Sequence, residues 1–453
     1  MALTLLPPPG APRALAAAQL SNSVGDGAFY VCSALYFSRI VGLSAAQIGL
    51  GLTLAWAVGS LAGVPLGHLA DRRGARGTAV VLALLTAGSV AAFLFIRSYG
   101  LFLVAAAAYA TAQCGLAAAR QALLAGLVDK EERTGVMARL QSTLNAGLAV
   151  GAGLGGLALH LGSREAFLAV FALDVAAFLI CALVLSGLPK VPAAEPAAEP
   201  GDEAAPRFAV LRDRPYALVS LLNAVLLLRL PLLSLALPLW VSARTEAPGW
   251  TVSALFVLNT AAVMLFQVRV ARSVTDPASA TRAVRSSGAV MLVSCAVFAL
   301  SALALPGWAA LGVLVAGAVL QVAAELRQSA GSWQLSFDLA PAGRVGQYQG
   351  FFGTGVPLAR TAGPLLVTAL LMTWGVPGWF VLGGIFLVAG LAMGPAVRWA
   401  EAAAARREFA PAARAGKRKR PVAPHGWCSS EELRGDGVGP GFPGLRTHHE
   451  KGM

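Results

Sequence analysis

Twelve apolar stretches, each long enough to cross a bilayer as a helix, divide this 453-residue chain. A helix of about 20 apolar residues spans the ~30 Å hydrocarbon core of a membrane. A water-soluble core cannot bury so many of these stretches, so we expect an integral membrane protein that is entirely helical. The stretches lie near residues 15–40, 45–68, 78–96, 101–127, 140–161, 166–187, 215–242, 251–269, 286–304, 308–332, 347–373 and 376–397.

The charge content agrees with this interpretation. Charged residues make up 13% of the chain and apolar residues 57%, whereas soluble domains carry roughly 25% charged residues. The net charge of +13 would suggest a nucleic-acid partner, but the basic residues lie between apolar stretches rather than on one compact domain. We therefore expect a lipid bilayer as the partner of the surface and no nucleic acid.

The distribution of basic residues predicts the orientation. If both termini face the cytoplasm, sixteen basic residues before the C-terminal tail lie in or beside cytoplasmic loops and four lie in outer loops. Cytoplasmic loops of membrane proteins carry such an excess of Lys and Arg. The sequence thus predicts a multi-pass protein of the cell membrane with both termini in the cytoplasm. The four outer residues are Arg39, Arg97, Arg164 and Arg244.

A hydrophilic stretch at residues 190–214 divides the spans into two groups of six. Its Pro, Ala and Glu content is typical of a flexible linker without a core. We therefore expect a cytoplasmic N-terminus at 1–14, an N-terminal six-helix bundle at 15–189 and a C-terminal six-helix bundle at 215–397. The basic segment 398–453 is predicted to be a disordered cytoplasmic tail.

The two groups of spans show weak internal similarity. Arg120-Gln121 in span four matches Arg327-Gln328 in span ten, and Asn22 in span one corresponds to Asn223 in span seven. Parallel repeats related by an axis along the membrane normal are a known transporter architecture. The sequence therefore predicts two pseudo-symmetric bundles.

A ten-residue motif, GHLADRRGAR, follows span two. It resembles the signature loop of the major facilitator superfamily, G-x-L-a-D-r-x-G-r-[KR], and departs from it only at Ala75. The resemblance implies the twelve-helix fold of that family and a gating role for Asp71, whose carboxylate is thought to latch the cytoplasmic side of one half onto the start of span eleven. The matching residues are Gly67, Leu69, Asp71, Arg72, Gly74 and Arg76.

Span five carries a second family resemblance. It is similar to the antiporter-type motif G-x-x-x-G-P-x-x-G-G, with Ala152 in place of the proline. The resemblance favours export over import, as in bacterial efflux permeases for drugs and other small molecules. The matching glycines are Gly147, Gly151, Gly155 and Gly156.

Five polar residues inside spans are candidates for proton coupling or substrate binding, because charges in hydrocarbon cost ~2.5–3.5 kcal/mol and are usually functional or paired. Asp26 and Asn22 lie one turn apart on span one, and we interpret Asp26 as a protonation or cation-binding site. Alternatively, Asp26 is a structural acid paired with Arg229. Arg229 is also a candidate to bind an anionic substrate, Asp174 either takes part in protonation or packs helices, and Arg360 is a candidate to line the cavity.

The sequence lacks the motifs of common enzymes and of ATP-driven pumps. The chain has no H-E-x-x-H, no G-x-S-x-G and no nucleotide-binding G-x-x-x-x-G-K-[ST], and its five cysteines show no metal-ligand spacing. We therefore predict a monomeric secondary transporter without a cofactor or metal, which uses an ion gradient, expected to be of protons, to export a small organic compound by alternating access. The alternatives are an uptake symporter for a nutrient and a membrane sensor that transports nothing.

The predicted orientation is testable by labelling. Single cysteines placed in residues 190–214 should react with a membrane-impermeant maleimide only from the cytoplasmic side, because this segment is predicted to be a cytoplasmic linker. Labelling is measured on intact cells and on inside-out vesicles. A reaction on intact cells would overturn the orientation.

Overall fold

The computed structural model describes residues 7–192, 208–248, 250–303 and 305–418, with side chains described as far as Arg406. The described residues up to Arg406 form one compact unit, and the described residues from Arg407 belong to a second. Most of the predicted linker and the tail beyond residue 418 therefore lie outside the described residues.

Within the described residues, the chain forms twelve long helical segments. Two of them, α7 and α11, contain interruptions. The segments are α1 (Ala11–Arg39), α2 (Ala45–Arg73), α3 (Ala75–Phe93), α4 (Tyr99–Leu127), α5 (Arg133–Leu161), α6 (Arg164–Ser186), α7 (Arg214–Arg244), α8 (Thr251–Ala271), α9 (Pro277–Leu300), α10 (Gly307–Asp338), α11 (Val345–Thr373) and α12 (Val376–Arg418).

Eleven segments, α2 to α12, are long and apolar enough to cross a membrane. The remaining segment, α1, has 29 residues and is long enough, but Asn22 and Asp26 make its centre polar. The outer surface carries large apolar side chains such as Leu61 and Leu365, each 80% exposed. Such a surface is favourable only against lipid, so the predicted all-α membrane fold is confirmed.

Local residues explain where several helices begin. Ser44 accepts a hydrogen bond from the amide of Gln47, whose side chain accepts one from the amide of Ser44, and this capping box starts α2. Gly74, with φ 96°, forms the turn between α2 and α3, a conformation that favours glycine. Asp276 caps α9, and hydrogen bonds from Ser279 hold the pKa of Asp276 below its usual range.

The interruptions of α7 and α11 were not predicted from the sequence. Helix α7 breaks after Leu226 and contains a π-helical turn at Leu232–Ala236, and α11 contains one at Ala369–Thr373. The two helices pack closely at Gly363, since a Cβ at this position would lie 2.5 Å from the ring of Pro231. Interrupted helices of this kind are typical of transporter binding regions.

Several helices are longer than predicted. Helix α5 begins at Arg133 rather than near 140, and α9 begins at Pro277 rather than near 286. Helix α12 continues to Arg418, where the sequence analysis placed a disordered tail from 398 onward. Hydropathy detects only the apolar part of a helix and therefore misses the polar first turns of α5 and α9. The alanine-rich extension of α12 is helical because alanine favours that conformation.

Each half has its own aromatic core. In the first half, the ring centroid of Phe37 lies 5.1 Å from that of Phe93. In the second half, the ring of Trp379 lies 5.4 Å from Trp240 and 5.2 Å from Phe298. All five side chains are almost fully buried. The halves are therefore packed as separate bundles, and contacts between them are additional to these cores.

Glycines allow α1 and α5 to pack in backbone contact. A Cβ at Gly151 would collide with the carbonyl oxygen of Val24, and a Cβ at Gly27 would lie 2.5 Å from the carbonyl oxygen of Leu148. Gly147 and Gly155 also lie against α1, whereas the fourth glycine of the predicted antiporter motif, Gly156, meets no atom within 4 Å. Three glycines of the motif thus form this interface and the fourth does not.

Gly151→Ala should therefore destabilise the protein, by about 1–3 kcal/mol, because a methyl group overpacks the interface. The matched control is Gly153→Ala on the same helix, since nothing lies within 4 Å of a Cβ at Gly153. The midpoint of thermal unfolding in detergent is followed by size-exclusion chromatography. It should fall for Gly151→Ala and not for Gly153→Ala. Equal midpoints would contradict the close packing of α1 and α5.

Candidate functional site

Asp26 is the centre of a buried polar cluster between α1 and α4. It is 7% exposed, and its Oδ1 accepts hydrogen bonds from the hydroxyl of Tyr109 at 2.9 Å and from Nε2 of Gln113 at 3.0 Å. Nδ2 of Asn22 donates to Oδ2 at 3.4 Å. These donors are neutral, and no basic side chain among the described residues forms a salt bridge with Asp26. Its carboxylate can therefore gain or lose a proton without breaking an ion pair.

Arg120 extends this cluster along α4. Its Nη1 donates to Oδ1 of Asn22 at 3.1 Å, so Asn22 links the guanidinium group to Asp26. Sequence analysis missed Tyr109 and Gln113 as site residues. Their spacing of four residues on an otherwise apolar helix, on the same face as Arg120, was the available signal.

The second half contains an ion pair at the corresponding place, between α7 and α10. Arg229 is 9% exposed, and its Nη1 lies 2.8 Å from Oε1 of Glu325. The Nε of Arg229 also donates to Gln328 at 3.2 Å. The structure therefore pairs Arg229 within its own half and not with Asp26, and the guanidinium is already neutralised.

The internal repeat is visible in these contacts. Asn22 of α1 binds Arg120 of α4, and Oδ1 of Asn223 in α7 accepts hydrogen bonds from Gln328 and Ser332 of α10, each at 2.7 Å. The residue that binds the second asparagine is Gln328 rather than Arg327. In space, Arg120 therefore corresponds to Gln328, one residue later than the sequence match of Arg120 with Arg327.

Asp174 of α6 lies against α1, beside the Asp26 cluster. It is fully buried, and neither carboxylate oxygen has a hydrogen-bond partner among the described residues. A Cβ at Gly25 would collide with Oδ1 of Asp174, so the glycine before Asp26 makes room for this side chain. Two acidic residues, Asp26 on α1 and Asp174 on α6, thus lie close to each other where these helices pack.

Arg360 occupies a different environment. It is exposed on α11 and lies close enough to Tyr30 of α1 to interact with it electrostatically. Tyr30 is 47% exposed. Arg360 therefore faces the first half across the space between the two bundles, one turn along α1 from Asp26.

The end of the bundle that carries Arg72, Arg73, Arg76, Lys130 and Arg344 is termed the basic end. Here Asp71 contacts the other half. Its Oδ1 accepts a hydrogen bond from the amide of Gly346 at 2.7 Å, and its Oδ2 accepts one from Gln347 at 2.8 Å.

Gly346 and Gln347 lie in the first turn of α11, where amides have no partner within the helix and the helix dipole favours a negative charge. A Cβ at Gly346 would lie 2.5 Å from the carbonyl oxygen of Gly67. The glycine that opens the motif therefore permits the close approach that brings Asp71 to α11.

The other motif residues lie nearby in different roles. Arg76 donates to the carbonyl oxygens of Leu188 at 2.9 Å and Ser186 at 3.2 Å, and so ties the start of α3 to the end of α6. Leu69 is half-buried and Arg72 is exposed. Of the motif residues, Gly67 and Asp71 thus contact α11, while Arg76 acts within the first half.

Two further contacts join the halves at the basic end, and neither was predicted. Nζ of Lys130 lies 3.3 Å from Oδ1 of Asp338 at the end of α10. The hydroxyl of Thr134 on α5 donates to Oε1 of Gln334 on α10. These partners are more than 190 residues apart in the chain, so no local pattern could reveal them.

Asp71→Asn should weaken the closure of the basic end. A hydrogen bond to a charged group contributes about 1.5–3 kcal/mol, which corresponds to a roughly 10- to 100-fold change in an equilibrium constant. In a background without native cysteines, Ala138→Cys on α5, which is fully buried against the second half, reports opening. We expect it to react with a maleimide about tenfold faster or more in the Asp71→Asn variant.

The control is Asp129→Asn, an exposed acid at the same end of the bundle. It removes the same charge without touching α11, so the labelling rate should stay at the level of the parent protein. A rate that is unchanged by Asp71→Asn would show that the two hydrogen bonds do not hold the halves together.

The described residues contain no group of three or more His, Cys, Asp or Glu side chains that could hold a metal ion. The arrangement consists instead of two polar clusters inside the bundle and a contact zone between the halves at one end. Such an arrangement can bind a proton or a small polar group at depth, and it can separate or join the two bundles.

Solved structures share this fold. The human organic anion transporter MFSD10 (TETRAN) superposes with a TM-score of 0.63 at 16% identity, covering 85% of this chain and 100% of that one. A bacterial homologue of the iron transporter ferroportin in an outward-facing state superposes with a TM-score of 0.67 at 15% identity, covering 86% of this chain and 99% of that one. The transporter FucP in its outward conformation superposes with a TM-score of 0.62 at 15% identity, covering 86% of this chain and 98% of that one. At these identities the likeness shows the fold alone.

A search of curated proteins finds no match. The sequence profile of the Major Facilitator Superfamily, in contrast, matches residues 15–326, which extend from α1 into α10 and make up more than half of the chain. The match includes most of the polar helix α1, the Asp26 cluster, the Arg229–Glu325 ion pair and the Asp71 loop. The chain therefore belongs to the Major Facilitator Superfamily of membrane transporters.

Proposed function

We propose that this protein is a secondary active transporter of the cell membrane, which exports a small organic compound while protons move in the opposite direction. The observation that carries the proposal is the environment of Asp26, a buried carboxylate held by neutral donors inside the first bundle. No cofactor or metal takes part, and one chain is the functional unit.

Asp26 is the proposed site of proton coupling. An acid that is held by Tyr109, Gln113 and Asn22 changes its charge without releasing a buried cation, and a change of charge inside a membrane alters the free energy of each conformation of the bundle. Asp174 supports this role from α6. A buried carboxylate without a hydrogen-bond donor is costly to ionise, so a second proton carrier beside Asp26 is consistent with its setting.

The proposed gate is the signature motif at the basic end, with Asp71 as the residue that joins the halves. The carboxylate contacts α11 through two backbone amides, and a few polar contacts between separate cores can break and re-form without unfolding either bundle. The basic end is proposed to face the cytoplasm, with both termini on that side, since basic loops favour this orientation. Opening of this end exposes the central space to the cytoplasm.

The proposed direction of transport, export, rests on the glycine interface between α1 and α5. Gly147, Gly151 and Gly155 bring α5 into backbone contact with the helix that carries Asp26, so movement of one helix is transmitted directly to the other. This coupling suits an antiporter, in which protonation of Asp26 and binding of the compound exclude each other, so that protonation drives release. A cationic or neutral amphipathic compound fits the site best, because Arg229 is already neutralised by Glu325.

A second candidate, an uptake symporter for an anionic nutrient, is favoured by one observation. Arg360 is exposed on α11, faces α1 and has no salt bridge with an acidic residue in the described part of the chain. An unpaired guanidinium at that place can bind a carboxylate or phosphate group. A non-transporting sensor of the same fold is the third candidate.

The experiment that tests the proposal uses inside-out membrane vesicles with an acidified interior. A panel of fluorescent cationic and amphipathic compounds is screened for accumulation. We expect accumulation with the wild type and only background levels with Asp26→Asn, because asparagine still accepts the hydrogen bonds from Tyr109 and Gln113 but cannot carry the proton.

Asp129→Asn is again the control, since Asp129 is exposed and outside both clusters, and it should accumulate compounds as the wild type does. Asp174→Asn separates the two interpretations of Asp174: a loss of accumulation supports proton coupling, and normal accumulation supports a packing role. Accumulation in right-side-out vesicles with an acidic exterior would support the symporter instead. If no compound moves in either preparation, the exporter proposal fails.

A further inference from the structure

A lateral groove lies between α8, α9 and α10 of the second half, away from the polar clusters. Its volume is about 980 Å³, and its walls are mostly apolar. Leu265 and Phe266 of α8 and Val319 of α10 line it, and each is about half exposed on the outer surface. The groove therefore opens sideways, toward the region that lipid occupies, and not toward the space between the bundles.

Three arginines, one from each helix, line the same groove: Arg269 of α8, Arg282 of α9 and Arg327 of α10. The first two flank the connection between α8 and α9, which places the charged part of the groove at one end of these helices. Among the described residues, none of the three guanidinium groups lies within salt-bridge distance of an acidic side chain. Such a cluster of like charges is unfavourable unless an anion occupies it.

The two acidic residues that are nearest along the chain are already engaged. Asp276 accepts hydrogen bonds from the amides of Ala278 and Ser279, each at 2.9 Å, as the cap of α9. Glu325 is paired with Arg229, on the face of α10 that points away from the groove. The charge of the three arginines is therefore left for a ligand.

We propose that this groove is a binding site for an anionic phospholipid. The guanidinium groups bind the phosphate of the headgroup, since the fork of arginine matches phosphate oxygens, and the apolar walls of α8 and α10 hold the acyl chains. Basic pockets between membrane helices on the cytoplasmic side bind anionic headgroups in this way. Charge at one end and apolar walls beyond it match an amphiphile and not a small inorganic anion.

The site is separate from the proposed transport path. Val322 and Arg327 face the groove, whereas Gln328 and Ser332 lie on the opposite face of α10 and bind Asn223 of α7. Substitutions in the groove therefore leave both buried polar clusters in place, and the binding of lipid can be measured without knowledge of the transported compound.

The test measures lipid binding to the purified, delipidated full-length protein by native mass spectrometry, with phosphatidylglycerol and phosphatidylcholine as probes. The wild type should bind phosphatidylglycerol more tightly than phosphatidylcholine. The triple variant Arg269→Gln, Arg282→Gln, Arg327→Gln should lose affinity for phosphatidylglycerol by about a hundredfold, since each basic residue near a headgroup contributes about fivefold.

The matched control removes the same charge from three arginines that do not line the groove, Arg272, Arg285 and Arg398, each replaced by Gln. Its affinity for phosphatidylglycerol should stay within about fivefold of the wild type, because only the general surface charge changes. An equal loss in both triple variants would overturn the site, as would equal affinity of the wild type for the two lipids.

Three further measurements test the site independently of the triple variant. If the triple variant does not fold, the single variant Arg282→Gln, whose side chain is exposed on α9, should weaken binding about fivefold. Ala262→Trp, which fills the apolar part of the groove, should weaken binding with all three charges intact. Glycerol 3-phosphate that competes with phosphatidylglycerol at equal concentration would show that the walls hold no acyl chain and would overturn the assignment.

Discussion

Hydrocarbon offers no partner to a polar group, and this constraint governs the whole molecule. Backbone amides and carbonyls pair within helices, so the described chain is helical from one end of the bundle to the other. Several polar side chains obey the same rule. Asn22 and Asp26 find partners on α4, and Arg229 finds Glu325 on α10, so these residues lie inside the bundles and hold the first and fourth helices of each half together.

The two halves meet this constraint differently. The second half neutralises a guanidinium with a carboxylate, which fixes both charges. In the first half, neutral side chains donate hydrogen bonds to Asp26, and Arg120 binds Asn22 and acts on the carboxylate electrostatically without forming a salt bridge. The same architecture thus contains one locked cluster and one that can change its protonation. This difference is the physical basis for assigning the coupling step to the first half.

Contacts between the halves are of a different kind from the cores. Asp71 binds two amides of α11, Lys130 pairs with Asp338, and Gly67 allows the backbones to touch. Each aromatic core, around Phe93 and around Trp379, is complete without these contacts. Apolar contacts also cross at this end, since Val64 packs with Tyr216 and Tyr348. Movement of the bundles as rigid bodies therefore separates this small cluster together with the polar contacts.

The sequence alone determined the twelve helices, the membrane environment and the Asp71 motif, because hydropathy and short-range spacing are local properties. It also identified Asp26 and Arg229, since ionisable residues stand out in apolar runs. Only the tertiary structure decided their partners. Arg229 meets Glu325 rather than Asp26, and Tyr109 and Gln113 reach Asp26 from 83 or more residues away. Pairing depends on which helix faces are brought together, and that is decided by packing, to which backbone contacts at glycines such as Gly27 and Gly151 contribute.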